Sequence, residues 1–356
     1  MINLFSPLEL RGVSVANRSW VSPMCQYSAH EGVVGDWHLV HLGSFATGGA
    51  GLVFAEATAV SPEGRISVNC PGLWNDLQVE AWSRVTAFAH SLGTPTGIQL
   101  AHAGRKGSTY APWADHQFAA LDEGGWQTVA PSATPFEGYP SPRALTTDEL
   151  DVLVEDFAAA ARRALAAGFD VLEIHAAHGY LLHEFLSPLS NTRDDEYGGS
   201  FENRSRLLVR VVDAVRATVP DATPLFVRLS ATDWTEGGWS DDETVELSGI
   251  LANHGVDLID VSSGGNVAHA RIPLAPGYQV GFAERVRREA NVAASAVGLI
   301  TDPHQADEII RTGRADAVML ARAHLRNPRW TFAAAEALGH VIPWPHQFDR
   351  ARTIHA

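Results

Sequence analysis

The length, composition and charge of the chain exclude several classes of protein. Its 356 residues are 46% hydrophobic and 19% charged, which is typical of a globular protein with one large core. The formal net charge of -15 argues against a nucleic-acid groove, and no Lys/Arg-rich run offsets that charge locally. The two cysteines provide neither a disulfide framework nor a cluster for zinc or iron and sulfur. We therefore expect small-molecule partners and no nucleic acid.

The amino-terminal segment and the hydropathy pattern predict a cytoplasmic enzyme with no membrane partner. Residues 1–7 lack a basic stretch followed by an apolar core, so we expect no secretory signal. No uninterrupted apolar run reaches the length that a membrane-spanning helix needs.

Short apolar runs alternate with helical segments and predict eight parallel strands. Most runs are almost continuously apolar, as strands covered on both faces are. The predicted strands span residues 20–24, 51–60, 96–100, 170–175, 225–229, 257–261, 292–299 and 316–320. Eight such units predict one (β/α)8 TIM-barrel domain over residues 1–356, with a carboxyl-terminal tail at 341–356. This fold needs about 250 residues, so the remainder belongs to loops on the carboxyl-terminal face, chiefly residues 101–146.

Two helices have ends that the sequence predicts. Thr147 is the expected N-cap of a helix with two acidic residues in its first turn, and Gly168 ends that segment. A second helix is expected to begin at Asp302-Pro303 and to run to Gly313.

The fourth predicted strand ends in two histidines and a tyrosine, at the face where a TIM barrel builds its active site. His175 and His178 can both donate hydrogen bonds to one carbonyl or nitro oxygen. Tyr180 retains its phenolic proton at neutral pH, because its reference pKa is about 10. Two polarising donors and one acid fit the reduction of a conjugated double bond. On spacing alone, satisfied histidines at a strand end or a His-x-x-His metal site together have about equal weight.

Other predicted strands also end in polar groups or glycine. Gln99 ends the third strand, Arg228 the fifth, Gly298 the seventh and Arg322 the eighth. Each has a purely structural explanation when it is taken alone. Together they indicate a phosphate site at strands seven and eight, with amide and guanidinium donors on the opposite side.

Several long motifs occur in a fixed order along the chain. They are SPMCQY at 22–27, QLAHAGRK at 99–106, HAAHGY at 175–180, DDEYGGS at 194–200 and ENR at 202–204. Through them, nearly the whole chain resembles the Old Yellow Enzyme family of FMN-dependent NAD(P)H ene-reductases. The closest resemblance is to the bacterial branch that has a cysteine near the flavin.

The resemblance implies FMN, bound tightly but not covalently, and NAD(P)H as co-substrate. The residues that it implies around FMN are Ser22, Pro23, Met24, Cys25, Ala57, Gln99 and Arg228, with Gly298, Ala321 and Arg322 at the phosphate. It implies that NAD(P)H reduces the flavin, that flavin N5 passes hydride to an activated alkene, and that Tyr180 protonates the product. His175 and His178 then hold the substrate oxygen, and Tyr27 lines the substrate pocket. Cys25 is expected to tune the flavin potential.

The resemblance also implies an arginine that reaches the active site from a neighbouring subunit. Arg350 is the best-matched position and Arg352 the alternative, so we expect a homodimer or a homotetramer. Ala321 is a departure, because many relatives have glycine there, and the extra methyl lies where backbone approaches phosphate. The loop around residues 110–113 is longer than in compact relatives, so substrate preference cannot be carried across.

A metal-dependent TIM-barrel hydrolase is the alternative function. It could use His175, His178 and His183 as ligands. Such an enzyme usually also takes ligands from the first strand, where this chain has Met24-Cys25-Gln26-Tyr27. We therefore expect no metal.

Overall fold

The computed structural model describes residues 2–351 and contains eight parallel strands closed into a barrel. Each strand pairs with the next along the chain, and the eighth pairs with the first. In chain order, the barrel strands are Ser19–Val21, Leu52–Ala59, Thr96–Ala101, Val171–Ala176, Leu225–Ser230, Leu258–Ser262, Ala293–Ala296 and Ala317–Leu320. The eight predicted strands and the TIM barrel are confirmed.

Helices connect the strands and cover the outside of the barrel. The α-helices within residues 2–351 are Asp36–Ala46, Asp76–His90, Thr147–Ala166, Leu181–Leu186, Phe201–Thr218, Asp241–Asn253, Val280–Glu289, Pro303–Arg311, Arg322–Arg326 and Trp330–Ala337. Leucine, valine and alanine side chains fill the layer between helices and strands. None of these helices is both long and apolar enough to cross a membrane.

Short additional elements lie outside the barrel. An antiparallel hairpin of Leu8–Leu10 and Val13–Val15 packs its buried side chains against residues of the barrel interior. The strands Val129–Ala130 and Arg143–Ala144 pair within the excursion that follows the third barrel strand. The 3-10 helices are Pro62–Gly64, Gly104–Lys106, Leu121–Glu123 and His346–Ala351.

The predicted helix ends are partly corrected by the structure. The N-cap of Thr147–Ala166 is Thr146 rather than Thr147, because the Thr146 hydroxyl accepts from the Glu149 backbone N–H while the Glu149 carboxylate accepts from the Thr146 N–H. This reciprocal pairing needs a spacing of three residues, which Thr147 does not have to Glu149. Asp302 caps the helix Pro303–Arg311 as predicted, by accepting from the Gln305 N–H.

Two barrel strands are shorter than their apolar runs. The first ends at Val21, since Pro23 has no N–H to donate to a neighbouring strand. The seventh ends at Ala296, because Gly298 turns the chain with a φ of 122° and Leu299 follows with a φ of 53°. Both shortened ends release backbone to the carboxyl-terminal face.

The barrel interior changes from apolar to polar along its axis. Towards the amino-terminal end it is filled by a cluster of buried side chains: Trp20, Leu52, Phe54, Val171, Phe226, Leu258, Ala317 and Met319. Towards the carboxyl-terminal end, the buried side chains include Gln99, Glu173, His175, Arg228 and Asp260. Because burying unpaired polar groups is costly, this polar layer must be hydrogen-bonded or meet a ligand.

Candidate active site

His175, His178 and Tyr180 lie together at the carboxyl end of the fourth barrel strand. The ring centroids of His175 and His178 are 5.2 Å apart, and those of His175 and Tyr180 are 5.1 Å apart. His178 adopts a φ of 60°, which bends the chain sharply after the strand. The His178 backbone N–H donates to Ser230 Oγ at 2.9 Å, which fixes this bend against the fifth strand.

Burial lowers the pKa of both histidines well below its usual value, and the nearby Arg228 cation lowers it further. Both rings are therefore neutral at pH 7. The Ala177 N–H donates to Nδ1 of His175 at 3.3 Å, so the proton of that ring is on Nε2. His178 Nε2 lies 2.7 Å from Ser262 Oγ, and the hydroxyl can donate this bond, leaving Nδ1 of His178 as a donor.

Tyr180 is held as a protonated phenol beside a lysine. Burial raises the pKa of Tyr180 well above its usual value. The Lys106 ammonium lies 5.0 Å from the centre of the Tyr180 ring and donates to the carbonyl oxygens of His178 and Gly265 at 2.8 and 2.9 Å. Burial lowers the pKa of Lys106 to about 8, so this side chain is still mainly charged at pH 7.

A hydrogen-bonded network occupies the barrel interior at and below the level of His175. We call Gln99, Glu173, Arg228, Asp260 and Ser295 the floor. Gln99 Nε2 donates to Glu173 Oε1 at 2.7 Å. Arg228 Nε lies 2.9 Å from Asp260 Oδ2, and Ser295 Oγ donates to Asp260 Oδ1 at 2.7 Å. Register sets these pairs, because Gln99 is opposite Glu173 and Asp260 is opposite both Arg228 and Ser295.

The floor contains a carboxylic acid that is neutral at pH 7. Burial raises the pKa of Glu173 to about 8, the Asp260 carboxylate raises it, and Arg228 and the Gln99 amide oppose this effect. Glu173 Oε2 has no hydrogen-bond partner within residues 2–351. In the same part of the chain, Arg228 contacts Asp260 through Nε, and no partner is assigned to its two terminal nitrogens. These buried atoms are suited to a polar ligand above them.

Gly298, Ala321 and Arg322 line one cavity at the ends of the seventh and eighth strands. Its volume is about 200 Å³, and Ser262, Tyr278 and Gln279 also line it. A Cβ at position 298 would lie 2.9 Å from Gln279 Nε2, so only glycine leaves this space open. Ala321 has a φ of -103°, which alanine adopts without strain. The missing glycine therefore carries no backbone penalty here.

The segment 22–28 is held over the barrel mouth by a bulge in the second strand. The register of that strand shifts between Ala55 and Ala57, so that Glu56 is the extra residue and Ala57 pairs with Gln99. Glu56 is buried, accepts from the Gln26 N–H at 2.8 Å and lies 3.2 Å from His38 Nε2. This contact fixes the chain one residue after Cys25.

A larger cavity opens between Tyr180 and the long excursion after the third strand. Its volume is about 580 Å³, and Lys106, Tyr110 and Tyr139 line it together with Tyr27 and Tyr180. We call Tyr27, Tyr110, Trp113 and Tyr139 the roof. Tyr27 has a φ of 52°, and its ring meets the Trp113 ring edge-on with centroids 5.5 Å apart. The expectation that residues 101–146 cover the active face agrees with this lining.

Two other predicted residues lie elsewhere. Arg350 is exposed in the 3-10 helix His346–Ala351, and Arg352 lies outside the described residues. His183, which the hydrolase alternative needs, is fully buried with Nε2 3.1 Å from Asp233 Oδ1, while its Nδ1 accepts from the Gly179 N–H. Both ring nitrogens are therefore occupied. Within residues 2–351, no group of three side chains is arranged to hold a metal ion.

Comparison with known proteins decides the family. The model of the NADH:flavin oxidoreductase / NADH oxidase family matches residues 3–340. The chain belongs to this family. The predicted Old Yellow Enzyme resemblance is confirmed, and this NADH:flavin oxidoreductase family member uses FMN with NAD(P)H.

Relatives of similar length and solved structures agree with this assignment. The chain is 49% identical over 350 residues to an NADPH dehydrogenase of Geobacillus sp. (strain WCH70), covering 98% of each chain. It is 46% identical over 353 residues to an NADPH dehydrogenase of Bacillus subtilis (strain 168), again covering 98% of each. The structure of morphinone reductase in complex with tetrahydroNAD has a TM-score of 0.80 and 31% identity, covering 97% of this chain and 93% of that one.

The residues at the mouth of this family member's barrel fit FMN. The unpartnered Glu173 Oε2 and the terminal nitrogens of Arg228 are polar groups that a flavin ring can satisfy. The space that a side chain at Gly298 would fill lies beside Arg322, as a phosphate requires. Both features face the same end of the barrel, on neighbouring strand ends.

Some polar residues of the site were not singled out from the sequence. They are Glu173, Asp260, Ser230 and Ser262, which pair with the residues that were. Glu173 and Asp260 could have been noticed, because an acidic residue inside a strand covered on both faces must be paired or neutral. The serines carry no comparable signal.

Proposed function

We propose that this chain is an ene-reductase that reduces the C=C bond of α,β-unsaturated carbonyl or nitro compounds at the expense of NAD(P)H. The observation that carries this proposal is the packing of two neutral histidines and one protonated tyrosine within about 5 Å, directly beside Arg228. Bound FMN supplies a hydride acceptor for NAD(P)H and a hydride donor for the alkene.

The two histidines are proposed to bind the substrate oxygen. Nε2 of His175 and Nδ1 of His178 carry protons in the tautomers argued above. Neutral imidazoles donate hydrogen bonds without protonating the substrate, and they polarise the double bond by stabilising negative charge on its carbonyl or nitro oxygen. Ser230 and Ala177 hold the rings in place for this task.

Tyr180 is proposed to be the general acid that protonates the carbon next to the activating group. Burial keeps the phenol protonated until the substrate demands the proton. The Lys106 ammonium, 5.0 Å from the ring centre, then stabilises the phenolate that remains. Lys106 is itself anchored by two backbone carbonyls, so its position does not depend on the substrate.

The proposed FMN-binding residues divide into a ring group and a phosphate group. Ser22, Pro23, Met24, Cys25, Ala57, Gln99 and Arg228 hold the ring, and Gly298, Ala321 and Arg322 hold the phosphate. Arg228 is supported from below by Asp260, which orients the guanidinium. A cation at this place favours the anionic form of a reduced flavin.

The roof is proposed to select small activated alkenes. The cavity of about 580 Å³ has tyrosine hydroxyls and the Lys106 ammonium among mainly apolar walls. We propose further that the protein is a single-domain cytoplasmic homodimer or homotetramer in which Arg350 enters the site of a neighbouring subunit. Light scattering of the full chain, and of a chain ending at Gln347, tests this arrangement.

The substrate class is tested with the FMN-loaded protein under anaerobic conditions. NADH and NADPH are each combined with cyclohexenone, an aryl nitroalkene and an isolated alkene. The proposal requires saturated products from the first two compounds and none from the third, with no loss of activity after dialysis against a chelator. Absence of any saturated product, despite reduction of the flavin by NADPH, contradicts it.

A further inference from the structure

The two cysteines of the chain lie in contact although they are 45 positions apart. Cys25 belongs to the segment after the first barrel strand, and Cys70 to the segment after the second. The Ala29 N–H donates to the Asn69 carbonyl at 2.9 Å and joins the two segments. The Cys25 thiol donates a hydrogen bond to the Cys70 sulfur. The sulfur atoms therefore face each other in the folded chain.

The Cys70 sulfur is surrounded by hydrogen-bond donors. Besides the Cys25 thiol, the backbone N–H and the hydroxyl of Ser67 each lie 3.4 Å from it. These donors lower the pKa of Cys70, with the Cys25 hydrogen bond as the largest cause, against the opposing effect of burial. The Arg65 guanidinium is close enough for the two charges to interact. Donors of this kind favour a thiolate over a passive, buried thiol.

The two sulfur atoms differ in access. Cys70 is 1% exposed, whereas Cys25 is only partly buried. An oxidant arriving from the barrel mouth meets Cys25 first and finds Cys70 behind it. One accessible sulfur and one buried, activated sulfur form the arrangement in which a sulfenic acid is resolved by a second cysteine.

We propose that Cys25 and Cys70 form a redox pair that closes to a disulfide when the protein meets a hydroperoxide such as hydrogen peroxide. The proton in the S–H···S contact passes to Cys70, and the Cys25 thiolate attacks one peroxide oxygen. The O–O bond breaks, hydroxide leaves, and Cys25 becomes a sulfenic acid. The Cys70 sulfur then attacks the Cys25 sulfur, the S–O bond breaks and water leaves. Two thiols and one peroxide yield one disulfide and two waters.

The pair is tested on the FMN-loaded full chain, freed of reductant and treated with one equivalent of hydrogen peroxide. The expected result is loss of both titratable thiols and a decrease of about 2 Da in intact mass, reversed by dithiothreitol. Non-reducing electrophoresis should show a monomeric chain. A gain of about 16 or 32 Da with Cys70 still titratable, or a disulfide between chains, overturns the proposal.

Three variants separate closure from simple oxidation. Cys70→Ser should stop at a Cys25 sulfenic acid that dimedone traps, and Cys25→Ser should leave Cys70 reduced for longer than either thiol of the parent. Ser67→Ala should slow closure about fivefold, the worth of one hydrogen bond, and move its rate–pH profile to higher pH. Ser91→Ala, whose hydroxyl donates to the Phe88 carbonyl, is the matched control. Unchanged closure in Ser67→Ala together with untrappable Cys25 in Cys70→Ser rejects the pair.

Discussion

The floor and the roof of the candidate site are built on different principles. The floor consists of side chains on five neighbouring strands, and each of its hydrogen bonds joins residues that strand register already places opposite each other. The roof comes from the segment after the first strand and from the excursion after the third, and it includes an aromatic residue, Trp113, that is 71% exposed. Buried register is rigid, whereas a loop surface can vary without affecting the barrel.

This difference separates two tasks. Changes in the floor should alter cofactor binding, flavin potential and folding stability for every substrate alike. Changes in the roof should alter the Michaelis constant for individual alkenes and leave the cofactor in place. His175, His178 and Tyr180 lie between these regions, and their effects should depend on the ligand oxygen and on the acid step.

The largest effect is expected from breaking the floor at Arg228. Arg228→Ala leaves the fully buried Asp260 carboxylate without its cation, which should destabilise the apoprotein by about 3 to 5 kcal/mol. FMN should also dissociate more readily. Urea unfolding and flavin fluorescence measure both quantities. Arg285→Ala, which removes a surface ion pair, is the control, and an equal loss in both variants would deny the floor its special role.

The next effect concerns the oxygen-binding histidines. His175→Ala or His178→Ala should weaken binding of a para-substituted phenol by roughly tenfold to a hundredfold, because phenolates need the same two donors as an enone oxygen. Titration of the long-wavelength charge-transfer band of the holoenzyme measures the dissociation constant. Unchanged constants in both variants would place the oxygen site elsewhere.

A smaller effect is expected in the roof. Trp113→Ala removes the edge-on contact with Tyr27, which is worth about 0.5 to 1.5 kcal/mol beyond the buried area. The Michaelis constant for a bulky enone should rise by a few fold while FMN content and the rate of flavin reduction stay the same. Trp37→Ala changes another exposed tryptophan, 57% accessible, and should have no such effect. A loss of FMN in Trp113→Ala would contradict the division between floor and roof.

The smallest effect is a pH dependence of stability. In the folded chain the pKa of Glu173 is raised to about 8, so the folded state keeps a proton that the unfolded state loses above its lower, ordinary pKa. Glu173 therefore contributes a fall in stability as pH rises towards 8. Glu173→Gln keeps an acceptor for Gln99 but cannot titrate, and it should flatten this part of the curve. Identical pH profiles for both proteins would show that Glu173 does not hold the proton.

The sequence predicted the parts of the site that lie at strand ends. His175, His178, Tyr180, Gln99 and Arg228 each follow or end an apolar run, and parallel strands bring such ends together. The roof contact between Tyr27 and Trp113 could not be predicted, because it depends on tertiary packing of a long excursion rather than on local periodicity. The cofactor came from resemblance of motifs, since no spacing of single residues specifies FMN.

The most direct test of the account is the behaviour of Tyr180→Phe in the two half-reactions, followed separately by anaerobic stopped-flow absorbance. Reduction of the flavin by NADPH needs no acid and should keep its parental rate. Reoxidation by cyclohexenone should slow by about 100-fold or more, the usual worth of general-acid catalysis. An equal loss in both half-reactions, or no loss in either, would contradict the role of Tyr180 as the proton donor.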